Sequence, residues 1–232
     1  MAGKRILIAG SSGGIGTGLT SAFSAETLFL HYHRHEPQLK GNGHRVRADL
    51  TKYDEVEQMV GEILKAYGGI DVAINATGFS ADGFTHKLKM EEWQSVIDTN
   101  LTGAFNLVRA VLPSMRENKT GRIILLTSVV FQNPVLGTPA YSASKAGLVG
   151  LARTIALENA RLHVTCNCIA LGYFDAGMLY QIPEPKREEI RMKIPLGRFG
   201  QIEELARTVQ FLMDTEYMTG QVLCLNGGLY MS

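Results

Sequence analysis

Short apolar runs alternate with longer segments of helical period from one end of this chain to the other. That alternation restricts the fold more than any other feature, because parallel neighbouring strands need crossover connections and helices supply them. The apolar runs are Arg5–Ala9, Thr27–Tyr32, a weaker Arg45–Ala48, Ile70–Asn75, Arg122–Thr127, His163–Ala170 and Gln221–Leu225. Helices are expected over 14–25, from Thr51 to the Gly68-Gly69 pair, and over about 91–115, 141–161 and 201–213. Thr51 with Asp54 reads as a capping box, and Val56, Met59, Val60, Ile63, Leu64 and Tyr67 follow it at helical spacing. The expected class is α/β: a doubly wound, mostly parallel sheet of about seven strands flanked by helices on both faces. With 232 residues, 45% of them hydrophobic, the chain suits one domain over 1–232.

Charge and cysteine usage narrow the function classes. A formal net charge of +1 argues against a nucleic-acid binder, which carries a basic stripe, but leaves room for a local basic patch facing an acidic partner. Cys166, Cys168 and Cys224 are too few and unevenly numbered for a disulfide framework, and they form no C-x-x-C. They read as small buried strand residues in a reducing compartment. Met1 to Lys4 leads straight into a strand-like run, so no secretory leader is expected. No apolar stretch approaches the roughly 20 residues that span a bilayer. The expectation is a cytoplasmic protein with no membrane partner.

In a parallel sheet of this kind ligands bind beyond the carboxyl ends of the strands, so function should sit just after each apolar run. Gly10-Ser11-Ser12-Gly13-Gly14-Ile15-Gly16 follows the first run and opens a helix. Glycines there let the backbone turn tightly and approach a pyrophosphate, while the helix start offers free N–H groups. The alternative is a purely structural turn. Ser128 ends another run, and Tyr141 and Lys145, four apart, share one helix face. A phenol of ordinary pKa about 10 exchanges protons poorly near neutrality. An ammonium ~5 Å away, at an effective dielectric of ~20, would lower that by about two units. Ser128 can then hydrogen-bond a carbonyl oxygen and stabilise charge developing on it. The plain alternative is a surface tyrosine beside a solvated lysine.

Gly10…Gly14-Ile15-Gly16, Asn75-Ala76-Thr77-Gly78, Asn100, Ser128, Tyr141 and Lys145 together resemble the short-chain dehydrogenase/reductase family in order and spacing, over essentially the whole chain. Within it, the likeness is to 3-oxoacyl-[acyl-carrier-protein] reductases, carried by Glu91-Glu92-Trp93, Asn100-Leu101-Thr102-Gly103, Gly121-Arg122-Ile123-Ile124, Ser128-Val129-Val130, Pro195-Leu196-Gly197-Arg198 and Asn226–Met231. The resemblance implies a Rossmann-like fold and an NADP-dependent oxidoreductase. Tyr141 would be the general acid in reduction. Lys145 would bind the nicotinamide ribose and lower the Tyr141 pKa. Ser128 would orient the substrate carbonyl, and Asn100 would hold a water in a proton relay, or tie a helix bulge, or both. Gly10, Ser12, Gly14, Ile15, Gly16, Asn75, Gly78 and Gly172 would line the cofactor. Asp49 would touch its adenine, or merely cap a helix. Residues 173–194 would form a substrate lid.

The chain departs from the family pattern at four places. Ala76 stands where a second asparagine is usual, Leu171 where proline is, Ala176 where a carboxamide-contacting threonine often is, and Gly13 where a basic residue is common. Cofactor choice turns on His31-Tyr32-His33-Arg34-His35. An acidic residue there would favour NAD; Arg34 with His33 can instead pair the 2′-phosphate of NADPH. The alternative is a solvated basic turn. Three functions follow: reduction of a 3-oxoacyl thioester on acyl carrier protein, the same chemistry on another small ketone, sugar or steroid, or a non-catalytic nucleotide-binding scaffold. A homotetramer is expected, chiefly from the resemblance. Leu148, Leu151, Ile155 and Leu157 add apolar surface that one sheet face should not cover. Lys119 and Arg161 are expected near the pocket mouth as docking cations for an acidic carrier, or are simply solvated charges.

Overall fold

A computed structural model describes residues 3–37 and 43–231. The first two residues of the expected leaderless start lie outside the described residues. Seven strands form one sheet in the order β3-β2-β1-β4-β5-β6-β7: β1 (Arg5–Ala9), β2 (Thr27–Tyr32), β3 (His44–Arg47), β4 (Val72–Asn75), β5 (Gly121–Ser128), β6 (Val164–Leu171) and β7 (Val222–Leu225). Every pairing is parallel. The helices are α1 (Gly14–Ala22), α2 (Tyr53–Tyr67), α3 (Met90–Ile97), α4 (Gly103–Glu117), α5 (Pro139–Asn159), α6 (Glu184–Lys193) and α7 (Ile202–Asp214).

Alternation along the strands builds two cores. On β1, Leu7 and Ala9 pack with α2, α4 and α5. Ile6 and Ile8 point the other way, towards Leu19 of α1 and Leu205, Val209 and Leu212 of α7. Side chains of period two cannot do otherwise when both faces are covered. The order reverses between β1 and β4, and there two successive crossovers part to opposite sides, leaving a crevice at the carboxyl ends. At the other end, Asp71 just before β4 takes Arg5 at the start of β1 through Nη2 at 2.6 Å, Nε at 3.0 Å and its amide at 2.8 Å.

Four expectations change in detail. The segment read as one helix over 91–115 is α3 and α4 joined by a π turn, Asp98–Thr102, with Asn100 buried inside it. Thr51 does not cap α2. Lys52 occupies that position with no side-chain cap, because the nearer Asp49 takes both the Thr51 amide at 3.0 Å and its hydroxyl at 2.8 Å. On α5, Leu148 and Ile155 lie in the core and Leu151 packs against it, so the chain covers them itself; only Leu157 stays outside, 84% exposed. Cys166 and Cys168 are buried strand residues, but Cys224 is exposed. No helix among the described residues is long and apolar enough to cross a membrane.

Candidate active site

The carboxyl ends of the strands bring most of the sequence-predicted site residues to one side of the sheet. After β1 the chain turns at Gly10, whose φ of +79° suits glycine. Gly13 precedes α1 with no side-chain cap. The first amides of that helix, at Gly14, Ile15 and Gly16, are therefore open to an anion, with Ser12 exposed beside them. A Cβ at Gly16 would run into the Gly10 carbonyl oxygen, and one at Gly14 into the backbone of Gly177. The turn can be this tight, and residues 173–181 can come this close, only because those side chains are missing. Asn75, at the end of β4, is fully buried. Its Oδ1 takes the Thr77 hydroxyl at 2.6 Å, while its Nδ2 has no hydrogen-bond partner. A buried amide donor without a partner is costly unless a ligand supplies the acceptor, so this corner fits a phosphorylated cofactor.

Beyond β2 and β3, a cleft of about 970 Å³ is lined by His33, Arg34, Asp49, Thr51 and Phe79, with Glu91 and Asp98 on its α3 side. The turn is free of carboxylates in sequence but not in space, since Asp49 Oδ2 lies 3.9 Å from His33 Nε2. Arg34 has no ion pair among the described residues. Burial alone would raise the Asp49 carboxyl; the Thr51 hydroxyl and amide, with His33 and Lys52, hold it below its ordinary value. Asp49 thus does cap-like work at Thr51 and also faces the cleft.

Ser128 closes β5, and α5 carries Tyr141 and Lys145 past it. Thr127 donates its hydroxyl to the Lys145 carbonyl at 2.7 Å, which fixes α5 against β5. Lys145 is buried, and its Nζ donates to the carbonyls of Leu126 at 2.9 Å and Thr77 at 3.4 Å. Burial lowers its pKa to about 8. The expected lowering of the Tyr141 phenol by that ammonium does not appear here. Burial raises the phenol, and the group pulling it back down is the Ser128 hydroxyl. Lys145 Nζ stands 5.7 Å from the centre of the Tyr141 ring, its hydrogens directed to main-chain oxygens.

Asn100 uses both amide hydrogens, on Phe79 O at 2.9 Å and Ser144 Oγ at 3.0 Å, and its Oδ1 accepts the Phe79 amide at 3.0 Å. It does tie a helix bulge to the loop after β4. A Cβ on Gly78 would stand 3.0 Å from Lys145 Nζ and 3.4 Å from Asn100 Oδ1. The bare glycine therefore leaves a space that both polar atoms face. Ser144, which links Asn100 to the Tyr141 carbonyl at 2.8 Å, had no signal in the sequence beyond its place between Tyr141 and Lys145. Gly172 donates to Leu225 O at 2.9 Å and packs on the Asn226 backbone, a structural reason for glycine there.

Above the site, Tyr173 lies within electrostatic reach of both Tyr141 and Lys186. Ala176 precedes a short turn, Gly177–Gln181, followed by α6. The expected docking cations keep their places before the Ser128 strand and at the end of the Tyr141 helix, but those places are not at the pocket mouth. Lys119 lies in the turn before β5 and Arg161 in the turn before β6, at the opposite end of the sheet. Ser128 is the last of the eight residues of β5, seven rises from its start, roughly 23 Å. A residue that precedes a parallel strand cannot reach the pocket beyond that strand's far end within the same copy.

Residues 9–230 match the protein-family model described as enoyl-(acyl carrier protein) reductase. The chain is 34% identical over 242 residues to a 3-oxoacyl-[acyl-carrier-protein] reductase of Staphylococcus epidermidis, covering 98% of this chain and 99% of that one. It is 35% identical over 242 residues to the reductase of the same description from Thermotoga maritima, covering 98% of each. The Escherichia coli protein of that description is 33% identical over 239 residues, covering 99% of this chain and 98% of its own.

Proposed function

The chain belongs to the short-chain dehydrogenase/reductase family, and on that premise we propose that it catalyses the NADPH-dependent reduction of a 3-oxoacyl thioester on acyl carrier protein to the 3-hydroxyacyl form, in fatty-acid or polyketide-type synthesis. The observation that carries this is the Ser128 hydroxyl beside the Tyr141 phenol, with buried Lys145 on the next turn of α5. Two hydroxyls this near each other can both donate to one carbonyl oxygen. The matching family description names an enoyl substrate and the full-length relatives a 3-oxoacyl one; the paired donors favour the latter.

The residues divide the work as follows. Ser128 and Tyr141 hydrogen-bond the substrate oxygen and orient it. As negative charge develops there, Tyr141 releases its phenolic proton to that oxygen. The phenol is protonated at neutral pH, as a general acid must be; burial makes the release harder and the Ser128 hydroxyl eases it. Lys145 brings positive charge to the phenolate left behind, and Asn100 with Gly78 shapes the space through which a replacement proton arrives. When bound, NADPH supplies the hydride. Gly10, Ser12, Gly14, Ile15 and Gly16 would hold its diphosphate. Arg34 with His33 would take the 2′-phosphate, Asp49 the adenine, and Asn75, Gly78, Tyr141, Lys145 and Gly172 the nicotinamide half. The chain acts as one domain with 173–194 as lid, and as a homotetramer.

The test is NADPH consumption with a 3-oxoacyl group on carrier protein, beside a free thioester analogue and simple ketones, each repeated with NADH. The proposal expects the highest kcat/KM for the carrier-linked substrate with NADPH. A higher value for a free ketone would make the protein a small-ketone reductase, and no oxidation with any substrate would leave a nucleotide-binding scaffold.

A further inference from the structure

His31 stands on β2 beside the glycine-rich turn and is 2% exposed. The register sets it opposite Ala9, the last residue of β1, so its ring lies where the chain leaves that strand. Nδ1 accepts the Gly10 amide at 3.2 Å. Nε2 lies 3.0 Å from the Ala48 carbonyl oxygen. A backbone amide can only donate and a carbonyl can only accept, so these partners fix the neutral ring with its hydrogen on Nε2. The main-chain oxygen of the same residue takes the Ser11 amide at 3.0 Å and the Ser11 hydroxyl at 2.9 Å.

Both segments tied to this ring carry cofactor candidates. Gly10 and Ser11 begin the anion-binding turn, and Ala48 directly precedes Asp49 in the wall of the cleft. Among the described residues the Gly10 amide has no other partner than His31. A core position needing only volume would be filled by an apolar side chain; here both ring nitrogens are engaged. We propose that His31 is a positioning residue for the dinucleotide, holding the turn at Gly10 and the exit of β3 at the separation the two ends of the cofactor require. This rests on the cofactor reading above. Burial keeps the ring in the required form by pushing its pKa down to about 4; of its charged neighbours, His33 pushes the same way and Asp49 opposes it.

Three substitutions divide the two bonds. His31→Asn puts an acceptor near the place of Nδ1, His31→Gln puts an amide donor near the place of Nε2, and His31→Phe keeps a ring and loses both bonds. NADPH is titrated into the full chain by fluorescence, and steady-state rates are measured beside it. The expected result is a dissociation constant and a cofactor KM roughly tenfold higher for Phe, with intermediate rises for Asn and Gln, while kcat at saturating cofactor stays within about twofold. If Phe does not fold, Asn and Gln carry the test. Wild-type affinity in every folded variant overturns the proposal, as does a loss of kcat with unchanged cofactor KM. If the unaltered protein binds no dinucleotide, the functional reading fails and this inference with it; if it binds and the variants match it, only this inference fails.

Discussion

Tyr141 and Lys145 are displaced from their ordinary proton affinities in opposite directions, and burial is the cause of both. Each is pushed towards its neutral form, because a low-dielectric site penalises the charge of an acid and of a base alike. For reduction the phenol must start protonated, and burial keeps it so beyond its ordinary value, so the pH limit on the rate should come from Lys145. Its charge is present below about 8 and lost above it. The rate of reduction is accordingly expected to fall as pH rises through about 8, and a profile flat to pH 10 would remove Lys145 from that role. Tyr141→Phe removes the proton itself. Its kcat should drop by about 10²–10⁴ with NADPH affinity nearly unchanged; a variant within tenfold of wild type would mean another group supplies the proton.

The elements were legible in the sequence where an apolar run is short and bounded. β1 and β2 begin and end where the run does, and the β-α alternation left few topologies. The glycine turn, Ser128 and the Tyr141/Lys145 face were legible because their chemistry is local. What was not legible depends on partners far away in the chain. Gly103 and Pro113 are the weak helix formers in 91–115, yet α4 carries both, and the π turn is drawn out by Asn100 bonding Phe79, 21 residues earlier, and Ser144, 44 residues later. His31 looked like part of a basic turn, yet it is buried and neutral, since its partners, Gly10 and Ala48, come from the chain just after β1 and just after β3 rather than from solvent. The Arg5–Asp71 clasp between the starts of β1 and β4 was equally silent. Burial works against the Asp71 carboxylate, but the Arg5 hydrogen bonds prevail and hold its pKa below the ordinary value. Its stabilising effect is therefore full above the unfolded pKa and lost as pH falls through the lower folded one. Asp71→Asn should cost about 1 kcal/mol near neutral pH, after allowance for its partial exposure. The gap between variant and wild type in urea unfolding should narrow in acid; a gap that widens there would mean the clasp is not ionic.

At the scale of the whole molecule, the layer formed by α2, α4 and α5 leaves Phe105 46% and Leu157 84% exposed. The proposed tetramer would cover such side chains, and the smaller number left outside on α5 makes each one matter more. Leu157→Glu combined with Phe105→Glu should reduce the sedimenting species to a smaller one at micromolar concentration. Unchanged sedimentation, or a monomeric wild type, would place the interface elsewhere or remove it.

The clasping of the site by distant segments also governs how the protein comes to exist. Lys145 is held by Thr77 across 68 positions and Asn100 by Ser144 across 44, so no fragment of the chain encloses the pocket. Closing loops of that length costs entropy before the contacts that reward it have formed, and all-parallel sheets are accordingly slow to assemble. Catalytic competence should therefore return with the slowest phase of refolding from urea, after most helical signal has recovered. Should activity instead appear with the first burst of secondary structure, the pocket would be a local construction, and the bonds between its distant segments would be ornament.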